Sequence, residues 1–321
     1  MGNRKRRGAM RVQRFFLKLL CTVLAVILAA MVGVTFWVQD LMNRINRVEP
    51  EQAPPLSLEM ADLPGIGNDV INILLIGQDR RPGEERARSD AMILCTFHKK
   101  SGQLTMTSFL RDLYVPIPGH QDNRINAAYA AGGIGLLSQT LETNFEVEVD
   151  GCIEVDFSGF SKIVDLIGGV TVDLRSDEAA YLNERLGCSI SQGINLLDGA
   201  KALEYVRIRS LDADGDFSRT GRQRTVIRAV VDAYRSAGPL KVLKTLDDIL
   251  PLLTTDMSNL RMVTYALELL PILPELTVVS QRIPEDGTYS SQMIRDMSVL
   301  VADMDAARQM LRETLSGSGD E

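Results

Sequence analysis

Three stretches of this 321-residue chain carry side chains suited to chemistry on phosphate. The richest is YVRIRSLDADGDFSRTGRQR, residues 205–224, which sets Arg207, Arg209, Arg219, Arg222, Gln223 and Arg224 within 18 positions. Between residues 69 and 225 there are 13 arginines but only four lysines. A solvated basic face mixes the two types, whereas planar, bidentate recognition of phosphate oxygens selects arginine. Arg219 and Gln223 stand four apart and share one face of a helix. Asp212, Asp214 and Asp216 lie between the arginine pairs, so the cluster also reads as an internal salt-bridge network.

The second stretch is GQDRRPGEERARSD, residues 77–90, where Asp79 and Asp90 flank a polar loop. It begins where an apolar strand ends, the place where open α/β sheets bind ligands. Two carboxylates together with phosphate oxygens and water suit a magnesium ion; a solvated turn with surface charges is the alternative. The third is SFLRDLYVPIPG, residues 108–119, with Arg111 at a strand end directed toward the same sheet edge. Read alone, Arg111 serves equally as half of a structural ion pair. Downstream, Arg124 and Asn126 stand at a helix start, Asn126 either as a polar group of the site or as an N-cap. Serine or cysteine hydrolase chemistry has little support, because the two histidines, His98 and His120, lack partner motifs such as G-x-S-x-G. Gly132, Gly133 and Gly135 lack the strand–turn–helix setting of a nucleotide fingerprint.

The elements that must position these groups follow from periodicity. VINILLIG (70–77), AMILCTF (91–97) and QLTMTSF (103–109) read as strands, the last two joined by a turn at Lys99-Lys100-Ser101-Gly102. Residues 126–143 read as a helix around Gly132-Gly133, and 152–157 and 170–174 as strands flanking a helix at 157–167. Residues 197–209 and 218–236 read as helices, the second with Val226, Ile227, Val230 and Val231 on one face. This alternation predicts a three-layer α/β domain over residues 69–236. Residues 237–321 read as a mostly helical extension: two amphipathic segments at 238–270, a strand at 276–283, a helix at 291–314 and a disordered tail.

Charge is distributed unevenly. Residues 1–18 hold seven basic side chains and no acid, while the remainder carries 28 basic against 42 acidic side chains, a net of −14. So acidic a body excludes a general nucleic-acid binder. Leu19–Val38 is twenty residues without a charge, enough to span about 30 Å of bilayer core. The run is longer than a signal peptide's apolar region and ends in Phe36-Trp37-Val38, which favours an uncleaved transmembrane helix. The basic tail then lies in the cytoplasm and residues 39–321 outside the membrane, beginning with a stalk at 39–68 broken by prolines and glycines. Cys21 falls in the apolar run, and Cys95, Cys152 and Cys188 fit no zinc spacing. These three read as small buried hydrophobes, with one disulfide as the alternative.

Six segments in order resemble the LytR–CpsA–Psr family of cell-wall assembly proteins. They are ILLIGQDRRPGEERARSDAMIL, SFLRDLYVPIPG, RINAAYAAGG, VDFSGFSKIVDLIGGVTVDL, INLLDGAKALEYVRIR and GDFSRTGRQR, between residues 72 and 224. The resemblance implies a three-layer α/β/α domain with a mixed central sheet, preceded by one N-terminal transmembrane helix. It implies a phosphotransferase that moves a glycopolymer phosphate from a polyprenyl-diphosphate-linked glycan, held in membrane lipid, onto peptidoglycan. By the same resemblance Asp79 and Asp90 hold magnesium (or manganese). The diphosphate lies among Arg111, Arg207, Arg209, Arg219 and Gln223, with Arg80 and Arg222 nearby. Arg111, Asp90, Asp216 and Arg219 form the catalytic group, with Asp90 or Asp216 as general base, and Asn126 belongs to the site. The apolar helix faces at Ile134, Leu137 and Leu141, at Phe160, Ile163 and Leu166, and at Leu203 and Val206 could line a tunnel for the lipid tail, but each of these residues alone reads rather as ordinary core. Ala91 departs from the family's usual threonine and removes a hydroxyl near the metal loop. A lipid-diphosphate hydrolase and a non-enzymatic lipid-sensing regulator are the rival readings. Only 18 residues precede the apolar run, too few for a helix-turn-helix domain.

Overall fold

A computed structural model describes residue 33 and residues 35–48, 69–78, 89–212 and 216–317. The expected transmembrane helix at 19–38 and stalk at 39–68 lie largely outside the described residues, as do Asp79, Arg80 and the tail from residue 318. Among the described residues no helix is long and apolar enough to cross a membrane. The chain divides into two compact units, Met1–Arg44 and Ile45–Glu321. In the first, residues 35–42 are helical, and Arg44 Nη2 donates to Asp40 at 2.9 Å one turn back.

The second unit starts with β1 (Asn46–Arg47), followed by β2 (Val70–Gln78), β3 (Ser89–His98) and β4 (Gln103–Phe109). A small pair, β5 (Tyr114–Val115) and β6 (Asn123–Arg124), leads into α1 (Asn126–Phe145) and β7 (Gly151–Asp156). Next come α2 (Phe157–Ile167), β8 (Val170–Leu174), α3 (Ser176–Leu186), β9 (Gly193–Leu197) and α4 (Gly199–Arg207). The long α5 (Asp216–Ala237), α6 (Pro239–Ile249), β10 (Leu253–Thr255) and α7 (Asn259–Leu269) follow. The chain closes with β11 (Thr277–Ile283), β12 (Tyr289–Ile294), β13 (Met297–Ala302) and α8 (Met304–Ser316).

The central sheet is mixed, in the order β1-β10-β7-β2-β3-β4-β11. Because strand side chains alternate between faces, each of its middle strands feeds two cores. Leu74, Ile76, Met92, Leu94 and Phe109 face α1 and α8. Ile71, Ile73, Ile93, Cys95, Leu104 and Met106 face the opposite side, where Ile227 and Val231 of α5 and Tyr265 of α7 cover them. The result is the expected helix–sheet–helix sandwich. A third cluster joins α2, α3, α4 and the antiparallel β8–β9 pair to Val226 of α5. The apolar residues of α5 expected on one face thus divide between two clusters: Val226 and Val230 in one, Ile227 and Val231 in the other. Cys95, Cys152 and Cys188 are free thiols, and burial pushes that of Cys95 up to about 12.

Three expectations change. Residues 237–321 are not an extension packed outside the sheet: the expected strand at 276–283 appears as β11, and together with β10 it belongs to the central sheet itself. Residues 291–314 are not one helix: Arg295 and Asp296 both have positive φ (50° and 59°) and close a two-residue hairpin between β12 and β13. Leu197, the first residue of the expected helix at 197–209, instead ends β9, which pairs with β8. Within α1, Gly133 (φ 64°, ψ −151°) breaks the helical path at the expected glycine pair.

A Cβ on Gly199 would lie 2.0 Å from the Ser161 carbonyl oxygen, so α2 and α4 meet backbone to backbone. Gly199→Ala therefore forces these helices apart and costs about 1–3 kcal/mol of stability. Thermal unfolding of the variant reads this directly, and an unchanged midpoint would refute the contact.

Candidate active site

The topology gathers several strand ends at one edge of the sheet. β3 runs antiparallel to β2 and β4, while β7 runs parallel to β2 and β11 parallel to β4. Asp90 near the start of β3 therefore shares an edge with the carboxyl ends of β2, β4, β7 and β11. Arg111 follows β4 by two residues, and the first turns of α5 bring Asp216 and Arg219 to the same place.

Asp90 is the meeting point of three guanidiniums. Its Oδ1 accepts from Arg111 Nη1 at 2.8 Å, Arg209 Nη2 lies 3.4 Å from Oδ2, and Arg219 Nη1 lies 3.5 Å from Oδ1. Arg219 Nη2 also donates to the Asp90 carbonyl at 3.1 Å. Asp216 supplies a second counter-charge, 2.7 Å from Arg219 Nη2 and 3.3 Å from Arg111 Nε. Burial pushes the Asp216 carboxyl above its ordinary range, against the pull of Arg219 and Arg111. Burial likewise lowers Arg219, whose side chain is only 2% exposed. Burial would lower Arg111 too, but Asp216 and Asp90 outweigh it and hold that guanidinium above its usual value.

The donors and acceptors are not used up internally. Arg111 Nε, Arg219 Nε, Gln223 Oε1, Asn126 Oδ1 and both Asp216 carboxylate oxygens are buried without a well-aligned hydrogen bond. Arg209 is 45% exposed beside Asp90 and can turn toward a ligand. Arg207 is placed differently, over the Phe157 ring at 4.9 Å, with Glu204 its nearest acid at 3.8 Å. Asn126 is the first residue inside α1, Ile125 occupies the cap position, and the Asn126 N–H donates to the Arg111 carbonyl at 3.4 Å.

Arg222 belongs elsewhere. Its Nε donates to Glu178 at 2.7 Å, its Nη2 pairs with Asp212, and its Nη1 donates to the Ile208 carbonyl at 3.3 Å. This fork, expected near the diphosphate, is committed to tying α3 to α5. The salt-bridge reading of the arginine cluster thus holds for Arg222, while Arg111 and Arg219 keep buried N–H groups without an aligned partner. The expected lipid-tail residues also divide. Ile134, Leu137 and Leu141 are closed core against the sheet, while Phe160, Ile163, Leu166 and Leu203 are half-buried around the separate α2–α4 cluster.

One polar group at this edge was not singled out from the sequence. Glu154 of β7 is buried, accepts from Tyr129 Oη at 2.7 Å and takes the Gln78 amide. Its signal was an acid at a core-facing position of CIEVDF. Among the described residues no group of three or more metal-ligating side chains comes together.

Residues 39–315 match the family model described as the LytR_cpsA_psr family. The chain belongs to that family. Against the polyisoprenyl-teichoic acid–peptidoglycan teichoic acid transferase TagU of Oceanobacillus iheyensis it is 38% identical over 188 residues, 57% of this chain and 57% of that one. Against the transferase of the same description, TagT, of Bacillus subtilis it is 34% identical over 220 residues, 66% of this chain and 67% of the relative. The matched segment therefore spans little more than half of the TagU relative. Among solved LytR_cpsA_psr structures, TagT bound to LIIa-WTA superposes with a TM-score of 0.66 at 28% identity, over 85% of this chain and 98% of the other. YwtF (TagT) with bound octaprenyl pyrophosphate lipid superposes with a TM-score of 0.61 at 26% identity, with the same coverages.

A ligand that binds only the folded state stabilises it by mass action, by about 2.7 kcal/mol at a hundredfold excess over Kd. Inorganic diphosphate is expected to raise the unfolding temperature of the wild-type chain, with a smaller rise in Arg209→Ala. Calorimetry of both proteins checks this, and equal shifts would remove Arg209 from the site.

Proposed function

We propose that this chain transfers a glycopolymer phosphate from a polyprenyl-diphosphate-linked glycan onto a peptidoglycan hydroxyl, forming a phosphodiester. The observation that carries the reading is the convergence of Arg111, Arg209 and Arg219 on Asp90, with buried donor N–H groups left over. Such forks fit phosphate oxygens in pairs. The printed activities of the TagU and TagT relatives supply the substrate class.

In this mechanism Arg111, Arg209, Arg219 and Gln223 hold the diphosphate and stabilise charge that develops on its oxygens. The acceptor hydroxyl oxygen attacks the sugar-linked phosphorus. The bond from that phosphorus to the bridging oxygen breaks, and the polyprenyl phosphate leaves. The hydroxyl proton passes to a carboxylate. Asp216 suits that role better than Asp90, because burial raises its proton affinity and its oxygens lack aligned donors. Asp90 instead sits among guanidiniums, with Oδ2 met only by Arg209 among the described residues. That hard oxygen fits a divalent cation, so Asp90 and Asp79 would hold magnesium (or manganese). Such an ion, when bound, withdraws charge from the diphosphate. The apolar run 19–38 serves as a single transmembrane anchor, with the basic tail cytoplasmic and the catalytic unit beside the lipid-borne donor.

The test supplies the full chain in detergent with a lipid-diphosphate oligosaccharide, magnesium and a peptidoglycan oligomer, followed by mass spectrometry. A sugar phosphate joined to the acceptor is expected, reduced at least about 100-fold in Arg111→Ala and by chelation. Free sugar phosphate without an adduct would mean a hydrolase, and intact bound lipid a binding module. The rate should fall as pH falls through the titration of Asp216, above the ordinary carboxylate range, because the base is then protonated. That limb should vanish from the residual activity of Asp216→Asn, and its persistence would reassign the base.

A further inference from the structure

A second pair of guanidiniums lies beside the diphosphate site and has no role in the mechanism above. Arg224 of α5 donates through Nη1 to Ser108 Oγ at 2.7 Å, and Ser108 is almost wholly buried at the end of β4. Directly opposite Ser108 in the β4–β11 register stands Arg282. The Arg282 guanidinium lies over the Phe217 ring at 4.8 Å, and Phe217 in turn stacks on Tyr289 at 5.2 Å. The two rings therefore fix Arg282 against the start of α5.

The charges here do not cancel. Asp286 pairs with Arg282 but is 84% exposed, where screening makes an ion pair weak. Arg224 has no carboxylate partner among the described residues, and its Nε and that of Arg282 are both buried without a hydrogen bond. Burial, and then the neighbouring Arg282, lower Arg224 to about 10. Along α5, Arg224 stands five residues beyond Arg219, about 7 Å of helical rise. A buried cation without a counter-charge destabilises a fold unless a ligand completes it.

We propose that Arg224, Arg282 and Ser108 form a second oxyanion subsite next to the diphosphate site, taking a carboxylate or phosphate carried by one of the two substrates. The inference rests on the transferase reading for which substrates are meant. The site itself does not. Each guanidinium keeps an Nε–H without a partner, Ser108 Oγ accepts from Arg224 and so leaves its own O–H to donate, and the Phe217–Tyr289 stack lies against Arg282. An anionic group there would set the register of the donor glycan or of the acceptor relative to the reacting phosphorus.

Isothermal titration of the full chain in detergent, with inorganic diphosphate saturating the first site, tests this without requiring turnover. Muramyl dipeptide, with one free carboxylate, probes the acceptor, and glycerol 3-phosphate probes the donor. One of the two should bind the wild-type chain and bind Arg224→Met at least tenfold more weakly, with Arg224→Lys in between. Unliganded Arg224→Met should melt no lower than wild type, since an apolar side chain of similar length removes an uncompensated charge. Binding of muramyl dipeptide assigns the subsite to the acceptor, and binding of glycerol 3-phosphate assigns it to the donor. Failure of both probes to bind, or equal binding by Arg224→Met, overturns the subsite. Inactivity in the transfer assay with probe binding intact would leave the subsite standing and remove only the transferase reading.

Discussion

Three guanidiniums repel one another, and moving one of them out of water adds a desolvation penalty that only opposite charge close by can offset. At this sheet edge that charge comes from Asp90, with Asp216 behind it. The position of Asp90 in turn depends on β3 entering the sheet at Ser89, between β2 and β4. Remove the mixed topology and the carboxylate no longer meets Arg111, which leaves β4 in the opposite direction. The same constraint explains why Arg219 can be buried at all. Its fork is held by a carboxylate, a carbonyl and the adjacent Asp216, leaving Nε as the unspent donor.

Helix α5 has a double task. One side of its first turns carries the charged groups, and Arg222 on another side is locked to Glu178 and Asp212. Burial of the Arg222–Glu178 pair makes this attachment directional rather than merely adhesive. It fixes how α5 is rotated, and rotation decides whether Arg219 faces Asp90. Arg222, committed to its two carboxylates, thereby supports the geometry of the arginines gathered on Asp90.

Much of this was legible in the chain because it is local. Runs such as QLTMTSF and FSGFSKIVDLI carry their period within themselves, and both elements appear with the expected bounds. The concentration of arginine over lysine pointed to phosphate, and the order of six segments pointed to the family. What escaped was non-local or turned on a single backbone conformation. Arg222 looked like its neighbours because its partner Glu178 lies 44 positions away. The β12–β13 hairpin hid in a sequence of helical appearance because its turn uses two non-glycine residues at positive φ. Arg282 could not be joined to Arg224 before the β4–β11 pairing was known.

That pairing has a consequence for how the chain assembles. β10 and β11 are made last among the sheet's strands, yet they cover opposite flanks of it, β10 beside β7 and β11 beside β4. Until residues 253–283 have been synthesised, β7 and β4 remain uncovered hydrogen-bonding edges, of the kind that template intermolecular pairing. The nascent chain thus elongates from the end of β7 at Asp156 to the end of β11 at Ile283 with a sticky half-sheet, and residues 253–283 act as a clasp. This sets a premium on keeping neighbouring nascent copies apart until the clasp has closed.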